Sequence, residues 1–251
     1  MKNILTIVLF LLSSAYVSAT DFENLVKNNK SAVVGVGIFD PLGSPRSQLQ
    51  GTGFAIGDGT LVATNFHVVE RALEEGSQQR RVVFIGTGNN PQISQAEIVK
   101  TDPAHDLAIL RIEQKVANVL SLSTGGSLPD GREVAFTGYP IGAVLGLYPA
   151  THKGMVAATT PVVIPSANAQ QLSLEVLKRL REPFMVYQLD ATAYPGNSGS
   201  PVYDVKTGEV VAIINKVFVK ESKESALSAP SGITYAIPVK YLRDLLAEAS
   251  L

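Results

Sequence analysis

The chain contains no cysteine. A cysteine nucleophile, a thiolate metal site, a disulfide framework and a lipobox for lipid attachment are all excluded, so packing alone must hold the fold. Histidine is scarce, with three residues in 251. Neither sign of charge dominates: 21 basic residues stand against 22 acidic ones, a net charge of -1. Without a basic field to neutralise phosphates, a nucleic-acid partner is not expected. No cluster of residues has metal-ligand spacing, and neither a metal nor a cofactor is expected. Long apolar runs are rare too, the exception being Ile4 to Leu12, interrupted by Thr6. Lys2 precedes that run, and Val17-Ser18-Ala19 follows it with small residues where a signal peptidase reads. This order predicts a secretory signal peptide over 1–19, cleaved after Ala19. An uncleaved anchor is the alternative, because residues 3–20 carry no charge. Export to a periplasm or the exterior, with no stable membrane insertion after cleavage, is the expectation.

With 45% hydrophobic and 17% charged residues, the remainder has an ordinary globular composition. Helical signals are few. Asp21 to Lys30 reads as a short helix, Gln171 to Arg181 has apolar residues at helical spacing, and Val239 to Ala249 reads as a last helix after Pro238. About a dozen short β-branched runs fill the rest, bounded by Gly, Pro, Asn and Asp. They are Ala32–Phe39, Gly53–Ile56, Thr60–Thr64, Arg81–Ile85, Ala96–Lys100, Leu107–Ile112, Glu133–Thr137, Met155–Thr160, Met185–Leu189, Pro201–Asp204, Glu209–Val219 and Thr234–Ile237. The class is all-β, a sandwich or barrel. A break between two halves falls near Ser121–Asp130.

Nucleophilic serine chemistry needs a base, a carboxylate that orients the base, and N–H donors for an oxyanion. Ser198 lies in Tyr194-Pro195-Gly196-Asn197-Ser198-Gly199-Ser200, a glycine-flanked turn feeding a strand. Those glycines clear space around its hydroxyl and let the turn's amides, those of Gly196 and Ser198 above all and with Asn197 between them, form an oxyanion hole. Ser200 is a rival hydroxyl, but Pro201 follows it. His67 ends the apolar run Leu61 to Phe66 in a polar corner. His105 and His152 follow no comparable strand. Asp106 immediately precedes the apolar run Leu107 to Ile112, where a buried carboxylate can face an imidazole. Asp102 reads as a surface cap. The order His67, Asp106, Ser198 is that of the chymotrypsin class.

At these residues the sequence resembles the bacterial trypsin-like serine proteases, the HtrA (Deg) branch especially. Thr64 to Val69, His105 to Ile112 and Pro195 to Val202 are similar to that family's His, Asp and Ser motifs. Gly51 to Ile56, Gly138 to Gly142 and Ser231 to Pro238 are similar to its flanking segments. The resemblance implies two six-stranded antiparallel β-barrels, about 31–125 and 130–238, with the triad between them and a C-terminal helix over 239–250. It implies a serine endopeptidase acting on polypeptides through an acyl-enzyme.

Three departures stand out. HtrA proteases usually carry PDZ domains, whereas this chain stops at Leu251 after its last helix, so PDZ-based peptide sensing is not expected. Residues 162–182 look like an insertion, suited to covering the cleft or to self-association into a homo-oligomer. Gly196-Asn197-Ser198-Gly199-Ser200 is closer to glutamyl endopeptidases. In the trypsin-like fold the pocket floor lies six residues before the nucleophile, here Thr192, which cannot pair with Arg or Lys. Ile214 falls where glutamyl endopeptidases place a His. The resemblance therefore implies an apolar pocket lined by Ala191, Thr192, Ile213 and Asn215, with cleavage after small or aliphatic residues. Two alternatives stay open. One is a latent or silent binding protein on the same fold. The other is an esterase, against which Ser200, in place of a second glycine, and the chain order both speak.

Overall fold

A computed structural model describes residues 19–140, 146–162, 183–215 and 232–251. The predicted signal peptide up to 18, the predicted helix over 171–181, and nearly all of the 162–182 insertion lie outside the described residues. Twelve strands form two closed six-stranded barrels. Barrel 1 contains β1 (Val33–Phe39), β2 (Ser47–Ile56), β3 (Leu61–Thr64), β4 (Arg80–Ile85), β5 (Gln92–Asp102) and β6 (Leu107–Ile112), ordered β1-β2-β3-β6-β5-β4. Barrel 2 contains β7 (Glu133–Gly138), β8 (Ala150–Pro161), β9 (Met185–Asp190), β10 (Pro201–Asp204), β11 (Val210–Asn215) and β12 (Ile233–Pro238), ordered β10-β11-β12-β9-β8-β7. All paired strands are antiparallel. Helices α1 (Ala19–Lys30), the single-turn α2 (Phe66–Val69) and α3 (Val239–Glu248) complete the described chain.

Sequence pattern explains the shared core. On β6, Leu107 and Ile109 face the apolar cluster between the barrels, while Ala108, Leu110 and Ile112 face the interior of barrel 1. A strand buried on both faces reads as a continuous apolar run rather than an alternating one, which is why LAILRI carries so little polarity. β11 behaves likewise: Ile213 packs between the barrels and Ile214 inside barrel 2. The inter-barrel cluster joins Phe54, Leu61 and Ala63 to Ile237 and to Tyr241, Leu242 and Leu245 of α3. That helix therefore packs against residues of both barrels.

Three strands are longer than their hydrophobic runs. β2 begins at Ser47 rather than Gly53, β5 at Gln92 rather than Ala96, and β8 at Ala150 rather than Met155. The extensions lack a continuous apolar face, and pairing with a neighbour supplies the regularity that side-chain burial does not.

Candidate active site

His67 lies in α2, directly after β3, with its ring at the cleft. Its Nδ1 stands 2.7 Å from Asp106 Oδ2, and its backbone N–H donates to Asp106 Oδ1 at 2.9 Å. One carboxylate thus fixes both the ring and the peptide of the same residue. Asp106 is 5% exposed and adopts a positive φ of 54°. Only Gly, Asn and Asp enter that region readily, so the residue type fits the backbone as well as the chemistry. The unusual conformation is held from the other side. Phe66 N–H and Asn65 Nδ2 both donate to the Asp106 carbonyl, at 3.1 and 3.0 Å. Asn65 stands at the N-cap of α2 but makes no side-chain capping bond and serves this loop instead.

The turn that carries Ser198 is tied to barrel 1 through Thr52 of β2, a residue that no sequence motif singles out. Thr52 N–H donates to the Ser198 carbonyl at 2.8 Å. Its Oγ1 donates to the Gly196 carbonyl at 2.7 Å and accepts from Tyr139 N–H at 3.0 Å. Thr64 Oγ1 in turn donates to the Thr52 carbonyl at 2.7 Å. Gly199 has φ +85°, and a Cβ there would lie 2.0 Å from the Thr52 carbonyl, so the close approach of the two barrels demands glycine. Within the turn, the amides of Asn197, Gly199 and Ser200 donate to Tyr194, Ile214 and Asn197 carbonyls. Among the described residues, the amides of Gly196 and Ser198 have no such partner. Those two amides are unengaged, whereas the Asn197 amide donates within the turn, which removes Asn197 from the predicted oxyanion set. Its side chain is wholly buried behind the turn. Ser198 is 5% exposed, and no hydrogen bond joins it to His67 in this resting arrangement. Such bonds are often long in unliganded sites and tighten with substrate.

The predicted pocket residues divide. Ala191 and Thr192 are partly exposed, on the segment that leads into the nucleophile turn. Thr234 Oγ1 pins that segment, donating to the Ala191 carbonyl at 2.6 Å and accepting from Ala193 N–H at 3.0 Å. Asn215 closes β11 and is 2% exposed. Ile213 is a correction: it is wholly buried in the inter-barrel cluster and presents no surface to a substrate. The alternation of β11 turns it away from barrel 2, a direction that counting from the nucleophile does not reveal.

Asp102 and His105 form a second Asp–His pair, with Nδ1 to Oδ2 at 2.5 Å. Burial opposes ionisation of Asp102, but hydrogen bonds from the His105 side chain and backbone hold its carboxyl below the ordinary value. The His105 ring stacks on Tyr241 of α3, with centroids 4.2 Å apart, so this pair braces the helix and does not join the triad. His152 stacks on Phe136 at 4.9 Å, and burial pushes its pKa below the ordinary histidine value. No group of three or more His, Asp or Glu among the described residues could hold a metal.

Comparison with known proteins settles the family. A model of the trypsin-like peptidase domain matches residues 51–213. The chain belongs to this family. A Pseudomonas putida protein described as a probable periplasmic serine endoprotease, DegP-like, is 30% identical over 208 residues, covering 80% of this chain and 36% of the relative. The chloroplastic protease Do-like 5 of Arabidopsis thaliana is 28% identical over 193 residues, covering 75% of this chain and 53% of that protein. The chain thus spans about a third of the length of the bacterial relative. Among solved structures, the HtrA-type protease AlgW with a tripeptide superposes with a TM-score of 0.64 at 24% identity, covering 90% of this chain and 62% of that one. Deg5 gives a TM-score of 0.62 at 24% identity, with 90% and 91% covered. Identities at that level speak for the double-barrel fold alone.

Proposed function

We propose that this trypsin-like peptidase domain is an exported serine endopeptidase that cleaves polypeptides through an acyl-enzyme. The observation that carries the reading is the double grip of Asp106 on His67, beside a nucleophile turn whose Gly196 and Ser198 amides are free. In this reading His67 Nε2 takes the Ser198 proton, and Ser198 Oγ attacks the peptide carbonyl. The two amides receive the oxyanion. His67 then returns the proton to the leaving amine, and water repeats the sequence to release the acyl half. Asp106 fixes the ring tautomer and stabilises the imidazolium. Ala191 and Thr192, partly exposed and without charge, are read as the pocket wall, while Asn215 lies almost wholly buried behind it; such a wall favours small or aliphatic residues before the scissile bond. Polypeptides are the partners, no metal or cofactor takes part, and the DegP-like relatives point to a periplasmic setting.

The test uses residues 20–251, wild type and Ser198→Ala, treated with a fluorophosphonate and read by intact mass, with an unfolded protein as substrate in parallel. Labelling and proteolysis lost together in the variant establish the triad. Loss of Ser198 is expected to lower turnover about 10⁶-fold. A second reading, a latent resting state, has one observation behind it: no hydrogen bond joins His67 to Ser198. Folded wild type that resists labelling would favour it.

A further inference from the structure

The carboxylate grip that Asp106 exerts on His67 is repeated inside the loop that carries Asp106. Asp102 Oδ1 accepts from the backbone N–H of His105 at 3.1 Å, and Asp102 Oδ2 lies 2.5 Å from His105 Nδ1. Atom for atom this is the arrangement at His67, where Asp106 Oδ1 takes the peptide N–H at 2.9 Å and Oδ2 the ring at 2.7 Å. Burial works against ionisation of Asp102, yet the bonds from His105 keep its carboxyl below the ordinary value. The ring nitrogen facing it is therefore the donor, since a carboxylate only accepts. The two side chains are 24% and 28% exposed, so water competes little for this bond.

One peptide links the two grips. Asp102 ends β5 opposite Leu107, the first residue of β6, so residues 103–106 form the loop between these strands. Asp102 fixes the N–H and the ring of His105, while Phe66 N–H and Asn65 Nδ2 fix the carbonyl of the next residue, Asp106. Between those anchors lies the Asp106 φ of 54°. A residue other than glycine keeps such a conformation only when its surroundings impose it. Asn65 and Phe66 hold the far side of that rotation, and the Asp102–His105 pair holds the near side. The His105 ring is itself backed by α3. It stacks on Tyr241 with planes 19° apart, and it meets the edge of Phe184 at 4.7 Å.

We propose that Asp102 and His105 are positioning residues for the triad: their bond sets the peptide that carries Asp106, and through it the carboxylate that orients His67. The inference rests on the endopeptidase reading above and deepens it. The pair acts on the reaction only through Asp106. Bracing α3 alone would need the faces of the His105 ring but not its nitrogen. The bond from that nitrogen to Asp102 is what the positioning role requires, and the two roles can be separated by substitution.

His105→Phe keeps the ring faces that meet Tyr241 and Phe184 and removes the nitrogen. Asp102→Ala removes the partner and leaves the ring. Both should lower kcat on a fluorogenic peptide about 10- to 100-fold with KM within about threefold, because a carboxylate displaced by about 1 Å misorients the base. Leu242→Ala weakens α3 without removing either member of the pair, and its kcat should stay within about threefold of wild type below Tm. The proton of the 2.7 Å His67–Asp106 bond, followed by low-field NMR, reads the geometry without turnover. It should move or broaden in His105→Phe and Asp102→Ala and stay in place in Leu242→Ala. An unmoved proton in the first two variants overturns the proposal whatever the kinetics. So does a kcat within about threefold of an active wild type in both. Equal kinetic and spectral losses in Leu242→Ala would assign the effect to stability and overturn it as well. A wild type that neither reacts with a fluorophosphonate nor cleaves, with the proton displaced in both variants, would sink the endopeptidase reading and leave the link between the two grips standing.

Discussion

Thr52→Val isolates what holds the nucleophile turn. The substitution keeps the shape of the side chain and removes one hydroxyl at a fully buried position. That hydroxyl donates to the Gly196 carbonyl and accepts from Tyr139 N–H. The Tyr139 N–H would be left buried without a bond, at a cost of about 1–3 kcal/mol, and the half-buried Gly196 carbonyl would add about 1 kcal/mol, or roughly 2–4 kcal/mol together. For a domain of this size, each kcal/mol lowers Tm by about 2–4 °C, so a drop of roughly 4–16 °C is expected by calorimetry. The catalytic effect should exceed the structural one. Gly196 contributes one of the two free amides, and removing an oxyanion donor outright costs about 10²–10³ in kcat. A loosened donor costs less, so kcat/KM on a fluorogenic peptide should fall about 10- to 100-fold, normalised by active-site titration. Thr64→Val is the control. It removes the bond to the Thr52 carbonyl and should cost about 1–3 kcal/mol in stability without reaching Gly196. Its kcat/KM should fall less than about threefold below Tm. Equal kinetic losses in the two variants would refute the idea that Thr52 acts through Gly196.

Gly138→Ala should inactivate the protein while leaving it largely folded, because a Cβ there would lie 1.9 Å from Ser200 Oγ and 2.8 Å from Asn197 Oδ1, directly behind the nucleophile; near-normal fluorophosphonate labelling would count against this. Leu242→Ala, at a fully buried position of α3, should lower unfolding free energy by about 2–5 kcal/mol in urea titration. Burial depresses the His152 pKa, so the folded state favours the neutral ring while the unfolded chain binds a proton near the ordinary value. The contribution is whole above that ordinary value, about 6.5, and is lost as pH falls below it. Tm measured between pH 7.5 and 5 should therefore fall less steeply in His152→Phe than in wild type; parallel curves would overturn the assignment.

What was legible in the sequence is what a strand or a turn writes locally. LAILRI announces β6 because both of its faces are buried, and the aspartate before it stands out because a carboxylate at such a border must find a partner. The glycines around Ser198 mark a turn in any context, and α3 shows its apolar face at helical spacing. Polar strand extensions were not legible. Ser47 to Gln50 has no apolar alternation, and only the ladder with β1 makes it a strand. The pocket reading failed at Ile213 for a related reason. Adjacent isoleucines on a doubly buried strand look equivalent, and only the packing of α3 and barrel 1 decides which one turns from the cleft.

Thr52 shows why the support of the site escaped the same reading. Its partners come from three other places in the chain, Thr64, Tyr139 and the turn at Gly196 and Ser198, the last 146 residues away (198 − 52). No local pattern encodes such a hub, since a threonine between two glycines in a strand looks like an ordinary β-former. Triad residues differ because their chemistry restricts them to three residue types, each with its own local setting. A supporting hydroxyl is restricted only by where it ends up. Of the residues around this turn, those proposed to react could be named from the sequence, while those that hold them in place, Thr52, Asn65 and Thr234, became visible only when both barrels were closed around the cleft.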